Sequence, residues 1–197
     1  MGKNRVELPR QLEADLRTRY SEPQRHYHNW QHVEELLDLF EVAGPQLADP
    51  NAVYLAILFH DAIYDPKATD NEERSAELLR DKAVGLVGLD SLDRAERMIL
   101  ATIHHELPDG LSPEELGDAA IFLDMDLAIL AAPQERFDEY ETQIRREYAH
   151  VPDEAFRIGR ADILRRFARR DQLYFSEWGK ARFEAQARNN LNSALAA

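Results

Sequence analysis

The sequence contains no cysteine, and its basic residues are scarce relative to its acidic ones. The absence of cysteine excludes both disulfides and metal sites built from thiolates. The formal net charge of −13 argues against general nucleic-acid binding, because an acidic surface repels the phosphate backbone. A small phosphorylated substrate is not excluded, since one metal ion and a few arginines can reverse the field inside a pocket.

The sequence also lacks any apolar run that approaches the roughly 20 residues of a membrane span. Its first residues lack the apolar core of a signal peptide. We therefore expect a cytoplasmic protein without a membrane partner. The length of 197 residues and the apolar share of 44% fit one globular domain.

Apolar residues recur at helical spacing almost everywhere, as in Val33, Leu36 and Phe40. No segment shows the alternation of a half-buried strand, and glycines and prolines fall between the periodic segments. The pattern predicts an all-α fold, with one domain over residues 1–197 and about nine helices in a bundle. Within it we expect a core of about 20–131 and a C-terminal helical extension of about 132–197.

The boundaries of the helices follow from the glycines, prolines and capping residues. The predicted helices lie near 6–20, 29–43, 50–64, 70–86, 91–106, 113–131, 134–149, 153–171 and 177–195. The predicted caps are Asn51, Asp70, Ser91, Ser112 and Asp153. Glu115 follows Ser112 by three residues, as a capping box requires.

The histidines are grouped, which is the most informative feature of the sequence. Six of the seven fall in three short segments: His26, His28 and His32; His60; and His104 with His105. Because His28 and His32 are four residues apart, both imidazoles would project from one face of a helix. The spacing predicts that these two side chains address one site.

His60 and Asp61 interrupt the apolar segment YLAILFHDAIYDP. A buried carboxylate is costly unless it is paired or binds a metal, so Asp61 needs a cation nearby. His60 taken alone could be a structural histidine bonded to a backbone carbonyl. The adjacent pair favours metal ligation over that interpretation.

The segment AAIFLDMDLAILAAP carries two more acids in apolar surroundings. Only one can face the core, because residues two apart on a helix diverge by more than half a turn. The bulkier neighbours share the face of Asp126, namely Phe122, Leu123, Ile129 and Leu130. We therefore predict Asp126 as the inward ligand, whereas Asp124 supports the site indirectly or pairs with a basic residue.

Two histidines and two aspartates from three helices form a mixed nitrogen and oxygen site. Such a site suits a divalent ion of Mn, Fe, Co, Ni, Zn or Mg. A bound divalent ion lowers the pKa of water from about 15.7 toward about 7, so hydroxide forms at neutral pH. The phosphorus of a phosphate ester is the natural target of this hydroxide.

These residues resemble the HD superfamily of metal-dependent phosphohydrolases, whose signature is a His, a His-Asp pair and a distant Asp. His32, His60, Asp61 and Asp126 match that signature. The stretch YHNWQHVEELL also resembles the first metal-binding segment of cyclic nucleotide phosphodiesterases. That resemblance implies that His32 is a metal ligand and that His28 is the general acid.

The ordered set RHYHNWQHV, FHDAIYDP, DNEERSAELL, TIHHE and FLDMDLAIL is similar to a bacterial group of predicted HD phosphohydrolases. The likeness covers about residues 20–190 and implies an HD-type helical fold and hydrolytic activity. Tyr64 replaces the second histidine of the cyclic nucleotide enzymes, which weakens the case for cyclic nucleotides. His104 and His105 are the candidates for binding a second ion or for donating a proton to a phosphate oxygen.

The expected partner is a small phosphorylated substrate, but the residues that bind it are less legible. The candidates are Lys67, Asn71 and Arg145. Asn71 could equally begin the next helix. Most arginines of the helices after Asp126 would be surface charges. Two other functions stay open, a metal-containing sensing module without turnover and a di-iron oxygenase. The sequence also leaves a homodimer open.

Overall fold

A computed structural model describes residues 5–196, and every regular element in this range is helical. The α-helices within it are α1 (Arg10–Arg19), α2 (Trp30–Ala43), α3 (Pro50–Phe59), α4 (Asn71–Ala83), α5 (Leu89–Ala101), α6 (Pro113–Asp126), α7 (Gln134–Glu147), α8 (Asp153–Ala168) and α9 (Glu177–Ala196). Short 3-10 helices at Gly44–Gln46 and Leu127–Ala131 extend α2 and α6. The prediction of a single all-α bundle of nine helices is thereby confirmed for the described range.

The capping box that opens α6 is also confirmed. The Ser112 hydroxyl accepts from the Glu115 amide, and the Glu115 carboxylate accepts from the Ser112 amide. At α3 the prediction was wrong, because Asp49 is the cap and Asn51 instead accepts from the Val6 amide. The three other predicted caps provide no side-chain cap: Asp70 precedes α4 without such a bond, and Ser91 and Asp153 lie inside the first turns of α5 and α8.

Two helices end earlier than predicted, and both ends lie at the histidines. Helix α3 stops at Phe59 rather than near residue 64, so His60 is its C-terminal cap and Asp61 follows in a turn. Helix α5 stops at Ala101 rather than near residue 106, so His104 and His105 also lie in turns.

Arg25 gives a physical reason for the early end of α3. Its buried guanidinium donates to the carbonyls of Asp61 at 2.7 Å and Ala62 at 3.2 Å. A carbonyl that leaves a helix needs another donor, and Arg25 provides it inside the protein. A third bond to the carbonyl of His28 ties the loop before α2 to the turn after α3.

The core consists of two apolar clusters. The first is formed by α1 to α6 and includes Trp178 from α9. The second is formed by the 3-10 helix after α6 and by α7, α8 and α9, and it includes Tyr27 from the N-terminal part. The segment predicted as a helical extension therefore contributes to both clusters.

Asp124 connects α9 to α6. Its carboxylate accepts from the backbone amides of Phe175 and Ser176 at 2.7 and 2.8 Å and from the Ser176 hydroxyl. Ser176 in turn accepts from the amide of Gly179, which lies directly against Asp124. Asp124 is thus buried by α9 and holds its first turn, and its partners are backbone amides and a hydroxyl rather than a basic side chain.

Among residues 5–196 there is no helix with both the length and the apolarity needed to cross a bilayer.

Candidate metal centre

Three side chains from separate segments converge on one point. The Nε2 atoms of His32 and His60 are 3.1 Å apart. The Oδ2 atom of Asp61 lies 3.1 Å from the Nε2 of His60 and 3.9 Å from that of His32. All three donor atoms lie within 4.8 Å of one another, and this group could hold a metal ion.

Asp126 brings a fourth donor to the same point. Its Oδ1 atom is 3.2 Å from the Nε2 of His32 and 3.6 Å from that of His60. Its Oδ2 atom lies 2.9 Å from the Nε2 of His105. The four residues of the predicted signature are therefore brought together, and His105 contacts the last of them.

Local structure orients each donor. His32 lies in the first turn of α2, whose cap Asn29 accepts from the Gln31 amide. The Nδ1 atom of His60 bonds to the carbonyl of Ile57 at 2.9 Å, so this nitrogen carries a proton and Nε2 is the nitrogen directed at the cluster. The carbonyl bond expected of a purely structural histidine is thus present, and it is the bond that directs the other nitrogen inward.

The two buried carboxylates of the cluster favour the binding of a cation. Asp61 and Asp126 are largely buried, and in the described part of the chain their ion-pair partners are all histidines. Burial opposes protonation of His60, but the two carboxylates outweigh it and raise its pKa to about 9. Although burial acts in the opposite direction, the neighbouring imidazoles lower the pKa of both carboxyl groups. A divalent ion would balance the same two negative charges.

The fit of the site to a metal can be tested on one buried atom. The Nδ1 of His32 is buried and has no hydrogen-bond partner among the described residues. No contact therefore prevents Nδ1 from carrying the proton of the imidazole, which is the tautomer that leaves Nε2 to bind a metal. Two imidazole nitrogens and two carboxylate oxygens are also a donor set that first-row divalent metals accept. The residues present therefore fit a divalent ion. Within residues 5–196 no group of three such donors lies close enough to hold an ion away from this cluster.

His28 lies beside this cluster but is held by a different residue. It belongs to the loop before α2 rather than to the helix, so the prediction that it shares a helix face with His32 was wrong. Its ring centre is nevertheless 6.2 Å from that of His32. Its Nδ1 lies 2.7 Å from the Oε2 of Glu147, and Tyr64 donates to the same oxygen at 2.7 Å.

Glu147 is a functional candidate that the sequence analysis missed. Its Oε1 atom accepts three backbone amides in a row, those of His26, Tyr27 and His28, at 2.7 to 3.0 Å. Burial alone would raise its pKa, but His28 and the other donors lower it to about 2. In turn, Glu147 raises the pKa of His28 although burial opposes this. A sequence signal existed, because Glu147 falls on the apolar stripe of α7 formed by Phe137, Tyr140 and Ile144.

The cluster opens into a cavity of about 440 Å³. The donors His60, Asp61 and Asp126 lie on one side of it, together with His28, Glu72, His104 and His105. His104 is exposed, and its backbone carbonyl accepts from Arg170. His105 has a φ of +49°, in the left-handed region that few residues other than glycine adopt.

The three predicted substrate-binding residues, Lys67, Asn71 and Arg145, are not among the described residues that line this cavity. Lys67 lines a separate surface cleft with Asp65 and His150. Asn71 bonds through its side chain to the amide and carbonyl of Asp65. Arg145 bonds to the carbonyls after α7 and to the first residue of α8. The side chains of Asn71 and Arg145 thus stabilise turns of the chain.

Two other arginines do line the cavity. Arg160 is paired with Glu141 through two hydrogen bonds. The side chain of Arg166 forms no hydrogen bond or ion pair with any residue of the described range. Arg166 is therefore the cavity arginine that is available to an anion.

Comparisons of the chain with protein-family models, with curated proteins and with solved structures find no match. Membership of the HD superfamily thus stays a prediction that depends on the residues quoted above.

Proposed function

We propose that the chain is a metal-dependent hydrolase that cleaves a phosphate ester. His32, His60, Asp61 and Asp126 would hold one divalent ion. The observation that carries the proposal is the position of His28, which faces the cavity beside the four donors while a buried carboxylate holds its other nitrogen. A purely structural metal site has no need of such a proton donor or of an open cavity.

A divalent ion in this position would polarise a phosphoryl oxygen and lower the pKa of bound water. His28 supplies the proton for the leaving oxygen. Since its Nδ1 is bonded to Glu147, the nitrogen that remains for the substrate is Nε2. Although burial opposes it, the carboxylate of Glu147 raises the pKa of the imidazole and so favours the protonated state that a general acid requires.

The roles of the remaining side chains follow from their contacts. His105 bonds to Asp126 and holds its carboxylate in place, which is a positioning role. His104 and Arg166 line the cavity and are free to contact the oxygens of a phosphate. We therefore assign the contact with a phosphate oxygen to His104 rather than to His105.

The proposal is tested by comparing two histidine variants. His28→Ala should keep its metal and lose about 10²- to 10⁴-fold in turnover of an alkyl phosphate, as expected for removal of a general acid. The defect should shrink on nitrophenyl phosphate, whose leaving group hardly needs a proton. His32→Ala should lose both metal and turnover.

The matched control is His26→Ala, which removes an imidazole from the same loop but from outside the cavity lining. It should retain both metal and activity. Equal losses of His28→Ala on activated and unactivated esters would contradict the acid role. If the metal-loaded wild-type protein hydrolyses no phosphate ester, a binding or sensing function replaces the proposed one.

A further inference from the structure

One wall of the cavity, contributed by α7, α8 and the neighbouring segments, is rich in apolar side chains. Its lining residues come from the 3-10 helix after α6 and from the region of α7 and α8: Leu127, Ile129, Ile144, Val151, Phe156, Ile163 and Phe167. The metal ligands and the apolar residues thus share one cavity. A site for a small hydrophilic ion alone would not need this second wall.

Helix α8 presents its cavity-facing residues at intervals of one turn. Ala155, Gly159 and Ile163 follow each other at four-residue spacing on the lining face. A Cβ atom added at Gly159 would meet no atom of another residue within 4 Å. Ile163 is 37% exposed although it lies in the wall, and Leu164 is the buried residue of α8. The helix therefore leaves apolar surface and room unfilled on its cavity side.

The polar side chain of this wall nearest to Gly159 in sequence, Arg160, is engaged within the protein. The guanidinium of Arg160 is bonded to Glu141 and contributes to the environment of Tyr140. A polyol placed here would lose hydrogen bonds to water and regain few from the wall. An apolar group would instead cover exposed side chains and gain from leaving water.

We propose that the substrate is a phosphate monoester of an apolar alcohol or phenol. This inference rests on the proposed function. The phosphate lies at the metal donors beside His28, and the apolar group lies against α8, beside Gly159 and Ile163.

The reaction balances with water as the co-reactant. The bond between phosphorus and the alcohol oxygen breaks, and its electron pair stays on that oxygen, which takes a proton from His28. The oxygen of water forms the new bond to phosphorus. One proton of that water returns to the imidazole through the solvent, so the products are the free alcohol and inorganic phosphate.

Binding of non-hydrolysable phosphonates tests the apolar subsite without relying on activity. Titration calorimetry of the metal-loaded protein should compare methylphosphonate, butylphosphonate and phenylphosphonate. Each methylene that becomes fully buried should tighten binding roughly fourfold. Equal affinities for methylphosphonate and butylphosphonate would overturn the inference.

The decisive variant is Gly159→Leu, which places a side chain in the open space at α8. Leucine favours a helix over glycine, so the variant should fold at least as stably as the wild type. It should lose the gain from the butyl and phenyl groups while binding methylphosphonate unchanged. Gly117→Leu, at an exposed position of α6 with open space around it, should bind all three phosphonates like the wild type.

The two proposals fail in different ways. If butylphosphonate and phenylphosphonate bind more tightly and Gly159→Leu abolishes the difference, but no ester is hydrolysed, the apolar subsite stands and the hydrolase does not. If methyl phosphate and phenyl phosphate are hydrolysed with equal kcat/KM, the hydrolase stands and the substrate class is refuted.

Discussion

Replacing Glu147 by glutamine tests the link between the buried carboxylate and His28. The variant keeps the size of the side chain and removes its charge. The three backbone amides can still donate to an amide oxygen, whereas the remaining NH₂ group cannot accept from His28 and Tyr64. We expect Glu147→Gln to lose both stability and catalysis.

The magnitude follows from the pKa of Glu147. In the folded protein it is lowered from an ordinary value of 4.5 to about 2. At about 1.4 kcal/mol for each pH unit, this difference corresponds to roughly 3 kcal/mol of stability, and Glu147 is only 4% exposed. Removal of the charge-assisted bond to His28 should also lower turnover on alkyl phosphates by about 10²-fold or more.

The sign gives a defined pH window. Because the folded pKa lies below the unfolded one, the stabilisation by Glu147 is complete above about pH 4.5 and is lost as the pH falls toward 2. The difference in unfolding free energy between the wild type and Glu147→Gln should therefore be large at pH 6 and small near pH 2. Urea unfolding of both proteins across this range measures it.

The matched control is Glu139→Gln, which removes an exposed carboxylate from the same helix. Its unfolding free energy should follow the wild type at every pH. The reasoning is refuted if the curve of Glu147→Gln runs parallel to that of the wild type from pH 2 to pH 7. Retention of full activity on alkyl phosphates would refute the role of Glu147 in holding His28.

Three further outcomes are expected. Gly179→Ala should lower stability by about 1–3 kcal/mol in thermal unfolding, because the new Cβ would clash with the carboxylate of Asp124. Gly117→Ala, in open space, should instead raise stability by up to about 1 kcal/mol, and an equal response of the two variants would contradict this. Arg166→Ala should raise the KM for a phosphate ester several-fold with little change in kcat, whereas Arg165→Ala, whose side chain pairs with an acid of its own helix, should not. Removal of the metal by a chelator should lower the melting temperature by roughly 5–10 °C if the metal was present at about 100 times its Kd, and an unchanged melting curve after verified removal would rule out a stabilising ion.

The helical architecture was predictable because its signals are local. Apolar periodicity, glycines and prolines determine which segments can bury a face as helices. The capping box of Ser112 and Glu115 is likewise contained within four residues. The position of Asp126, rather than Asp124, beside the histidines was also accessible, since the bulk of the neighbours on each helix face is readable from the sequence.

The ends of α3 and α5 were not predictable on the same basis. Helical periodicity continues through His60 and into the segment of His104, yet both helices stop before these residues. The carbonyls released beyond α3 are satisfied by Arg25, which lies more than 30 residues earlier in the chain. A donor at that distance leaves no mark in the local pattern.

The histidines and aspartates of the candidate metal centre could be named from their residue types and spacing. The sequence could not reveal that Glu147 holds the loop of His28, because those residues are 119 positions apart and meet only when α7 packs against the loop. It also could not exclude Arg145 from the cavity, since an arginine that binds turn carbonyls has the same sequence appearance as one that binds phosphate. Helix signals and the residue types of a candidate site can be read from the order of the residues, whereas the partner of a buried charge depends on which distant segments the folded chain brings together.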